Sequence, residues 1–227
     1  MITHYRLVPI LLTLWAATLS PTNGADVLSQ PPATNSNAQP AIKFQAPVAS
    51  IWQDGVGEGF RSTVQTFSAE VGVDLGIATF GSRQSHDFAL VSLSYGHMLG
   101  RVRGVGHWYR GNLEFRAELF GGGQYSPSKE WLIGLTPHLR YNFATGTRWI
   151  PYVDIGTGVS ATSIGPPDLS NTFEFNLQAG AGVRWFFRDN LALTLDTHFF
   201  HMSCAGISSP NLGLNGMLGM LGLTCLF

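Results

Sequence analysis

Residues 173–187 alternate: Phe173, Phe175, Leu177, Ala179, Ala181, Val183, Trp185 and Phe187 share one parity, and Glu174, Asn176, Gln178, Gly180, Gly182 and Arg184 share the other. Successive side chains of a strand point to opposite faces, so this period of two makes one face apolar and the other polar or glycine. The same parity recurs in Ala69, Val71, Val73, Leu75 and Ile77 against Glu70, Gly72, Asp74 and Gly76. It recurs in Leu113, Phe115, Ala117 and Leu119 against Asn112, Glu114, Arg116 and Glu118, and in Trp131, Ile133, Leu135, Leu139 and Tyr141 against Thr136, His138, Arg140 and Asn142. Together with residues 87–99, 150–163, 191–203 and 214–227 these make eight segments, separated by Gly, Pro, Asn, Asp and Ser. An even number of long antiparallel strands lets a sheet close on itself without edges. The expected fold is all-β, an eight-stranded antiparallel transmembrane β-barrel over residues 65–227.

Two kinds of eight-stranded barrel differ in which face is outside. A soluble barrel of the lipocalin kind turns its apolar face inward to a ligand, whereas an outer-membrane barrel turns it to lipid and packs polar side chains inside. Here the polar face carries Glu70, Asp74, Arg110, Glu114, Arg116, Glu118, Arg140, Asp154, Glu174, Arg184 and Asp196, a mixed-sign set suited to a narrow salt-bridged interior. Trp108, Tyr109, Trp131, Tyr141, Trp149, Trp185 and Phe187 fall near segment ends, where an interfacial girdle belongs, and the last residue is Phe227. The membrane barrel is the reading these features favour. Composition agrees: 44% apolar, 12% charged and a net charge of −1 suit neither a disordered chain nor a nucleic-acid binder. Past the first twenty-odd residues there is no apolar run of the ~18 residues a spanning helix needs.

Residues 1–25 read as a secretory signal peptide, with Arg6, the apolar stretch 7–19 and small residues at Gly24 and Ala25. Residues 26–47, rich in Gln, Pro, Ala, Asn, Ser and Thr, read as a disordered linker, and 48–64 as an N-terminal periplasmic segment. With the N-terminus inside, residues 101–106, 144–148 and 188–190 are expected as inner turns. Residues 81–86, 121–129, 164–171 and 204–213 are then expected as longer outer loops. Cys204 and Cys225 fall at opposite ends of the wall, roughly 30 Å apart by strand rise, and are not expected to bridge.

The chemically informative segment runs from Asp196 to Asn215. Parity from Leu191, Leu193 and Leu195 carries the lipid-facing set through Phe199 to His201 and Ser203, while His198 points inward with Asp196. Two residues apart on one strand face, His201 and Ser203 lie roughly 6.5–7 Å apart at Cα, close enough for the imidazole to lean onto the hydroxyl. The seven His residues show no metal-ligand spacing with Cys or carboxylates, so no metal is expected. Gly121, Gly122 and Gly123 lack the Lys-Ser/Thr that a phosphate loop requires.

His-x-Ser-x-Ala-Gly at 201–206, followed by Pro-Asn-x-Gly at 210–213, resembles the signature of the lipid A 3-O-deacylase (PagL-like) family of acyloxyacyl hydrolases. The resemblance implies an outer-membrane serine esterase, without cofactor or metal, that removes the ester-linked 3-hydroxyacyl chain from the 3-position of lipid A. Its implied partners are lipid A or lipopolysaccharide in the outer leaflet and the membrane itself, with no nucleic acid and with a homodimer left open. Carried onto this chain, Ser203 is the nucleophile and His201 the general base. Asn215 stands where the family has an acid, and Cys204 where it has an oxyanion-hole Asn. Ala205 and Gly206 offer backbone N–H groups to the oxyanion, Asn211 matches the loop Asn, and Asp168 is an outlying candidate for the missing carboxylate. The two substitutions leave a second expectation, a catalytically weak or inactive small barrel with a structural role.

Overall fold

The structure, a computed structural model, describes residues 58–227. The signal peptide, the linker and the first part of the 48–64 segment lie outside the described residues. Eight strands follow in order: β1 (Gln65–Gly76), β2 (Asp87–Met98), β3 (Gly111–Ser126), β4 (Trp131–Phe143), β5 (Trp149–Thr162), β6 (Phe173–Arg188), β7 (Leu191–Ser203) and β8 (Leu214–Leu226). Each pairs antiparallel with the next, and β1 closes onto β8 from Thr66↔Leu226 to Gly76↔Gly216. The ladder therefore has no open edge, as the eight alternating segments require. The start of β1 and the end of β8 mark a lower rim. The β1–β2, β3–β4, β5–β6 and β7–β8 connections form the upper rim.

The apolar parity faces outward on every strand. Val71 is 60% exposed and Leu195 57%, and Leu93, Leu119, Leu135, Ile155, Leu177 and Leu221 join them in a continuous apolar wall. A soluble protein does not expose apolar surface on this scale, whereas a bilayer solvates it without cost. Aromatic side chains collar the wall at both ends. Trp149 stacks on Trp185 at the lower rim, and Trp131, Phe173 and Tyr125 sit at the upper.

The lumen is layered rather than polar throughout. Its middle is an ion-pair network in which Arg116 meets Glu70 (2.8 Å) and Glu118 (3.1 Å), Arg140 meets Asp154 (2.6 Å) and Asp196 (3.1 Å), and Arg184 meets Glu114 (2.8 Å). Above it Phe88, Leu90, Phe120, Leu132, Phe200, Met202, Leu214, Leu218 and Met220 pack with the loop residues Ile164 and Leu169. Below it Phe60, carried in by a short 3-10 turn at Glu58–Phe60, packs with Met98, Ile150, Phe186, Ala192 and Leu226, and its carbonyl accepts from Asn112 Nδ2 at 2.8 Å. The expectation of a polar interior holds fully for the middle layer, while at the ends apolar side chains share the lumen with buried polar ones such as Asp74, which pairs with Phe88 and Leu218. A narrow barrel has no water column to satisfy polar groups at its ends, so apolar plugs close it there. Arg110 precedes β3 and is partly buried, with its Nε shielded from solvent.

The connections depart from expectation in length. Residues 121–129 are not an outer loop, because β3 runs on to Ser126 and only residues 127–130 link it to β4. Gly121, Gly122 and Gly123 lie inside the strand, where the backbones approach so closely that a Cβ on Gly122 would sit 1.9 Å from the Ala89 carbonyl oxygen. Glycine marks close approach there, not a turn. The lower β2–β3 connection spans residues 99–110, longer than the 101–106 turn expected, with Arg103 bridged to Gly111 and Trp108 87% exposed. Cys204 and Cys225 are unbridged, as their places at opposite rims dictate.

Replacing Arg140 by Met leaves Asp154 and Asp196 buried without their guanidinium. Breaking one side of a buried pair costs about 3–5 kcal/mol. Arg140→Met is therefore expected to lower the denaturant midpoint of the detergent-folded barrel markedly, and an unchanged midpoint would show that the network does not support the fold.

Candidate active site

The upper end of β7 carries the site because the outward parity meets polar residues there. His201 pairs with Leu177 on β6 and with Asn215 on β8, and Ser203 pairs with Phe175 on β6. All the pairs belong to rigid ladder, so the side chains project from fixed backbone positions. His201 and Ser203 are partly exposed on the outer wall, and Asn215 is buried between them and the β1–β2 connection. His201 Nε2 lies 3.2 Å from Ser203 Oγ, and His201 Nδ1 lies 2.7 Å from Asn215 Oδ1.

The protons in this chain of contacts are assigned by what each partner is able to accept. Asn215 Nδ2 donates to the Thr79 carbonyl at 2.7 Å. A carbonyl has no proton to give, so the amide NH2 faces Thr79 and the amide oxygen faces the imidazole. The oxygen accepts only from Nδ1–H, which leaves Nε2 unprotonated and its lone pair toward Ser203 Oγ. That is the tautomer a general base needs. Thr79 and Asn215 are 136 residues apart in sequence, and closure of β1 onto β8 brings them together.

Beyond Ser203 the chain turns sharply. Ala205 (φ 56°) and Gly206 (φ 82°) both adopt the left-handed region, and the Ile207 N–H closes the turn on the Cys204 carbonyl at 3.1 Å. An alanine in this region is uncommon and is held by its surroundings. The Cys204 sulfur, buried beneath the turn, accepts from Ser170 Oγ at 3.3 Å and from the Ser208 N–H at 3.5 Å, while its thiol donates to the Ser208 carbonyl at 3.3 Å. The Ser170 hydroxyl foremost, then the Ser208 amide, bring this thiol down to about 7. Cys204 therefore ties the β7–β8 loop to the β5–β6 loop. Asn211 satisfies both ends of its amide by accepting from the Cys204 N–H (2.9 Å) and donating to the Asp168 carbonyl (3.2 Å).

Asp168 does not supply the missing carboxylate. Its side chain meets His86 Nε2 at 3.3 Å, and its carbonyl accepts from the Leu212 and Gly213 N–H groups. The candidates His201, Ser203 and Asn215 thus come together in one contact chain, while Cys204, Ala205, Gly206 and Asn211 form the turn beside it. Thr79 escaped sequence reading, because a backbone carbonyl leaves no signal in residue type. Around the polar pair the wall stays apolar: Phe80 is 80% exposed and packs edge-on against Phe199, and Phe175 and Ile207 are exposed beside Ser203 and its turn.

A family model described as lipid A 3-O-deacylase (PagL) matches residues 89–224, from the second strand to near the end of the eighth. Among solved structures the chain is similar to the outer membrane enzyme PagL, at 21% identity and a TM-score of 0.49 over 69% of this chain and 97% of that one. It is similar to Neisserial surface protein A (NspA), at 17% identity and a TM-score of 0.53 over 72% of this chain and 97% of that one. A third is the outer membrane protein OprG from Pseudomonas aeruginosa, at 8% identity and a TM-score of 0.43 over 74% and 98%. No curated protein matches the sequence. At such identity the likeness to NspA speaks to the barrel fold alone, whereas the family match spans more than half of the chain and includes the whole 201–215 segment. This outer-membrane β-barrel belongs to the lipid A 3-O-deacylase (PagL) family.

Proposed function

We propose that the protein is a serine esterase that removes the ester-linked 3-hydroxyacyl chain from the 3-position of lipid A. The observation that carries the reading is His201 bridging Ser203 and Asn215 on the lipid-facing side of the wall. Lipid A lies in the outer leaflet beside that wall, so its acyl chains need not leave the bilayer to bring an ester to Ser203. Phe80, Phe199, Phe175 and Ile207 offer apolar contact to those chains.

Ser203 Oγ attacks the ester carbonyl as His201 Nε2 takes its proton. The imidazolium then returns that proton to the leaving sugar hydroxyl, and the acyl group stays on Ser203. A water molecule, deprotonated by His201 in turn, releases the 3-hydroxy fatty acid. The Cys204 N–H, first after the nucleophile, is taken by the Asn211 amide oxygen, so the Ala205 and Gly206 amides are the donors left for an oxyanion, the latter shared with the Cys204 sulfur. Cys204 contributes no side-chain amide to it, and losing such a donor costs about 2.7–4 kcal/mol in the transition state. Asn215 orients the imidazole but brings no negative charge to the imidazolium, a change worth about 10⁴ in turnover in a Ser-His-Asp triad. The two substitutions support the second reading, a weak or silent member of the family.

Purified protein incubated with lipid A is expected to release a 3-hydroxy fatty acid detected by mass spectrometry, and Ser203→Ala to release none. Equal release by both, or none by either, excludes the esterase reading. Asn215→Asp places a carboxylate on His201 and is expected to raise turnover about tenfold, less than the full triad effect because one carboxylate oxygen meets the Thr79 carbonyl. In ¹⁵N spectra His201 is expected as the Nδ1–H tautomer in the native chain. A shift toward Nε2–H in Asn215→Leu tests the orienting role independently of turnover.

A further inference from the structure

In the middle of the lumen, His138 of β4, Asp154 of β5 and His198 of β7 bring an imidazole nitrogen, a carboxylate oxygen and a second imidazole nitrogen within 4.8 Å of one another. Asp196 of β7 stands beside the group, its Oδ1 3.4 Å from His198 Nε2. All four side chains are buried. They lie on the inward face, away from the outer wall that holds Ser203.

The hydrogen bonding of His138 does not close by itself. Its Nε2 lies 3.2 Å from Glu118 Oε2, which accepts only, so Nε2 carries the proton. Its Nδ1 has no hydrogen-bond partner and faces Asp154 Oδ1 at 3.9 Å. A neutral ring turns a lone pair toward a carboxylate oxygen there, and a protonated ring turns an N–H toward an acceptor too far away for a hydrogen bond. Asp196 Oδ1 is likewise buried without a hydrogen bond. Among the buried lumen atoms without a hydrogen bond, these two are acceptors beside the same histidine–carboxylate cluster, where a cation would satisfy them.

Charge gives the same answer. The network holds the carboxylates Glu70, Glu114, Glu118, Asp154 and Asp196 against the guanidinium groups of Arg116, Arg140 and Arg184. With both histidines neutral, two positive charges are lacking. We propose that the lumen binds one divalent transition-metal ion of the zinc class, through His138 Nδ1, His198 Nε2 and Asp154 Oδ1.

Two nitrogens and one carboxylate oxygen suit Zn²⁺ rather than Mg²⁺ or Ca²⁺, which favour all-oxygen sets. Tetrahedral bonds of about 2.0–2.2 Å separate ligand atoms by about 3.3–3.6 Å. The distances of 2.5 Å (His198 to Asp154) and 3.9 Å (His138 to Asp154) bracket that spacing. The shortest is a His198–Asp154 hydrogen bond; for Nε2 to bind the metal the neutral ring takes the Nδ1–H tautomer, Nε2 losing its proton as Nδ1 gains one. The outer partners are in place. Arg140 holds Asp154 Oδ2 and Asp196 Oδ2, which turns the two Oδ1 atoms toward the imidazoles, and Glu118 on the far N–H of His138 completes a carboxylate–histidine–metal arrangement. The ligands come from three strands, so no linear spacing announces them, and the expectation of no metal rested on spacing alone. With apolar layers above and below, the ion enters as the barrel closes.

The test is to fold the full chain in detergent with Zn²⁺, wash it with a chelator and measure bound metal. About one zinc per chain is expected, falling at least tenfold in His138→Gln and His198→Gln and unchanged in His107→Gln on the exposed lower connection. Less than a tenth of an equivalent in the native chain, or full retention in both ligand variants, overturns the site. Where those variants fail to close, Co²⁺ on the native barrel replaces them: visible absorption of tetrahedral cobalt supports the site, and its absence overturns it.

Discussion

Arg116, Arg140 and Arg184 sit in the lumen against five carboxylates, all of them cut off from water by apolar layers at both ends of the barrel. An unpaired charge in such a place costs several kcal/mol, so the polar parity of each strand turns inward only if every strand keeps its register. A slip of one residue on any strand would carry its charges into lipid and its leucines into the ion-pair network. The pairing in the lumen therefore fixes which residues form the outer skin. The skin is almost wholly apolar, and His201 and Ser203 are polar exceptions at its upper edge. They stay there because the rigid ladder of β6, β7 and β8 holds them.

The proposed chemistry inherits this precision. Asn215 sits at the closing seam, where β8 meets β7 on one side and β1 on the other, and the Thr79 carbonyl beyond β1 decides which way its amide points. Closure of the barrel thus sets the tautomer of His201. An amide in place of an acid keeps orientation and gives up charge, while Cys204 exchanges an amide donor for a thiol that stitches two loops together. Both substitutions preserve the scaffold of the site and weaken the stabilisation of charge in it. On the proposed reading, a lipid-embedded ester meets an oriented Ser-His pair without leaving the bilayer.

Strand number, parity and the outward placement of His201 and Ser203 were legible because period two is a direct projection of strand geometry onto sequence. Strand ends were less so. Gly121, Gly122 and Gly123 read as part of an outer loop, yet they lie inside β3, where Gly122 crowds the Ala89 backbone, and the residue type is the same for both uses. The plug by Phe60 and the upper apolar layer escaped because inward Phe88, Phe120 and Phe200 break the simple rule that one parity is polar. Asn215 was legible as a position able to orient the imidazole, but not the direction of its amide, which is set by a carbonyl 136 residues away. The lumen histidines carry the same lesson: His138, Asp154 and His198 converge from three strands, and closure rather than spacing makes them neighbours.

The central claim is that Ser203 is a nucleophile activated by His201 on the lipid side of the wall. Treating the folded barrel with a fluorophosphonate tests it directly, because an activated serine oxygen forms a bond to phosphorus and expels fluoride. The account predicts a single adduct, mapped by peptide mass to Ser203, that disappears in His201→Ala while the barrel remains folded. No adduct on Ser203, or labelling that persists at the same rate without His201, would contradict it.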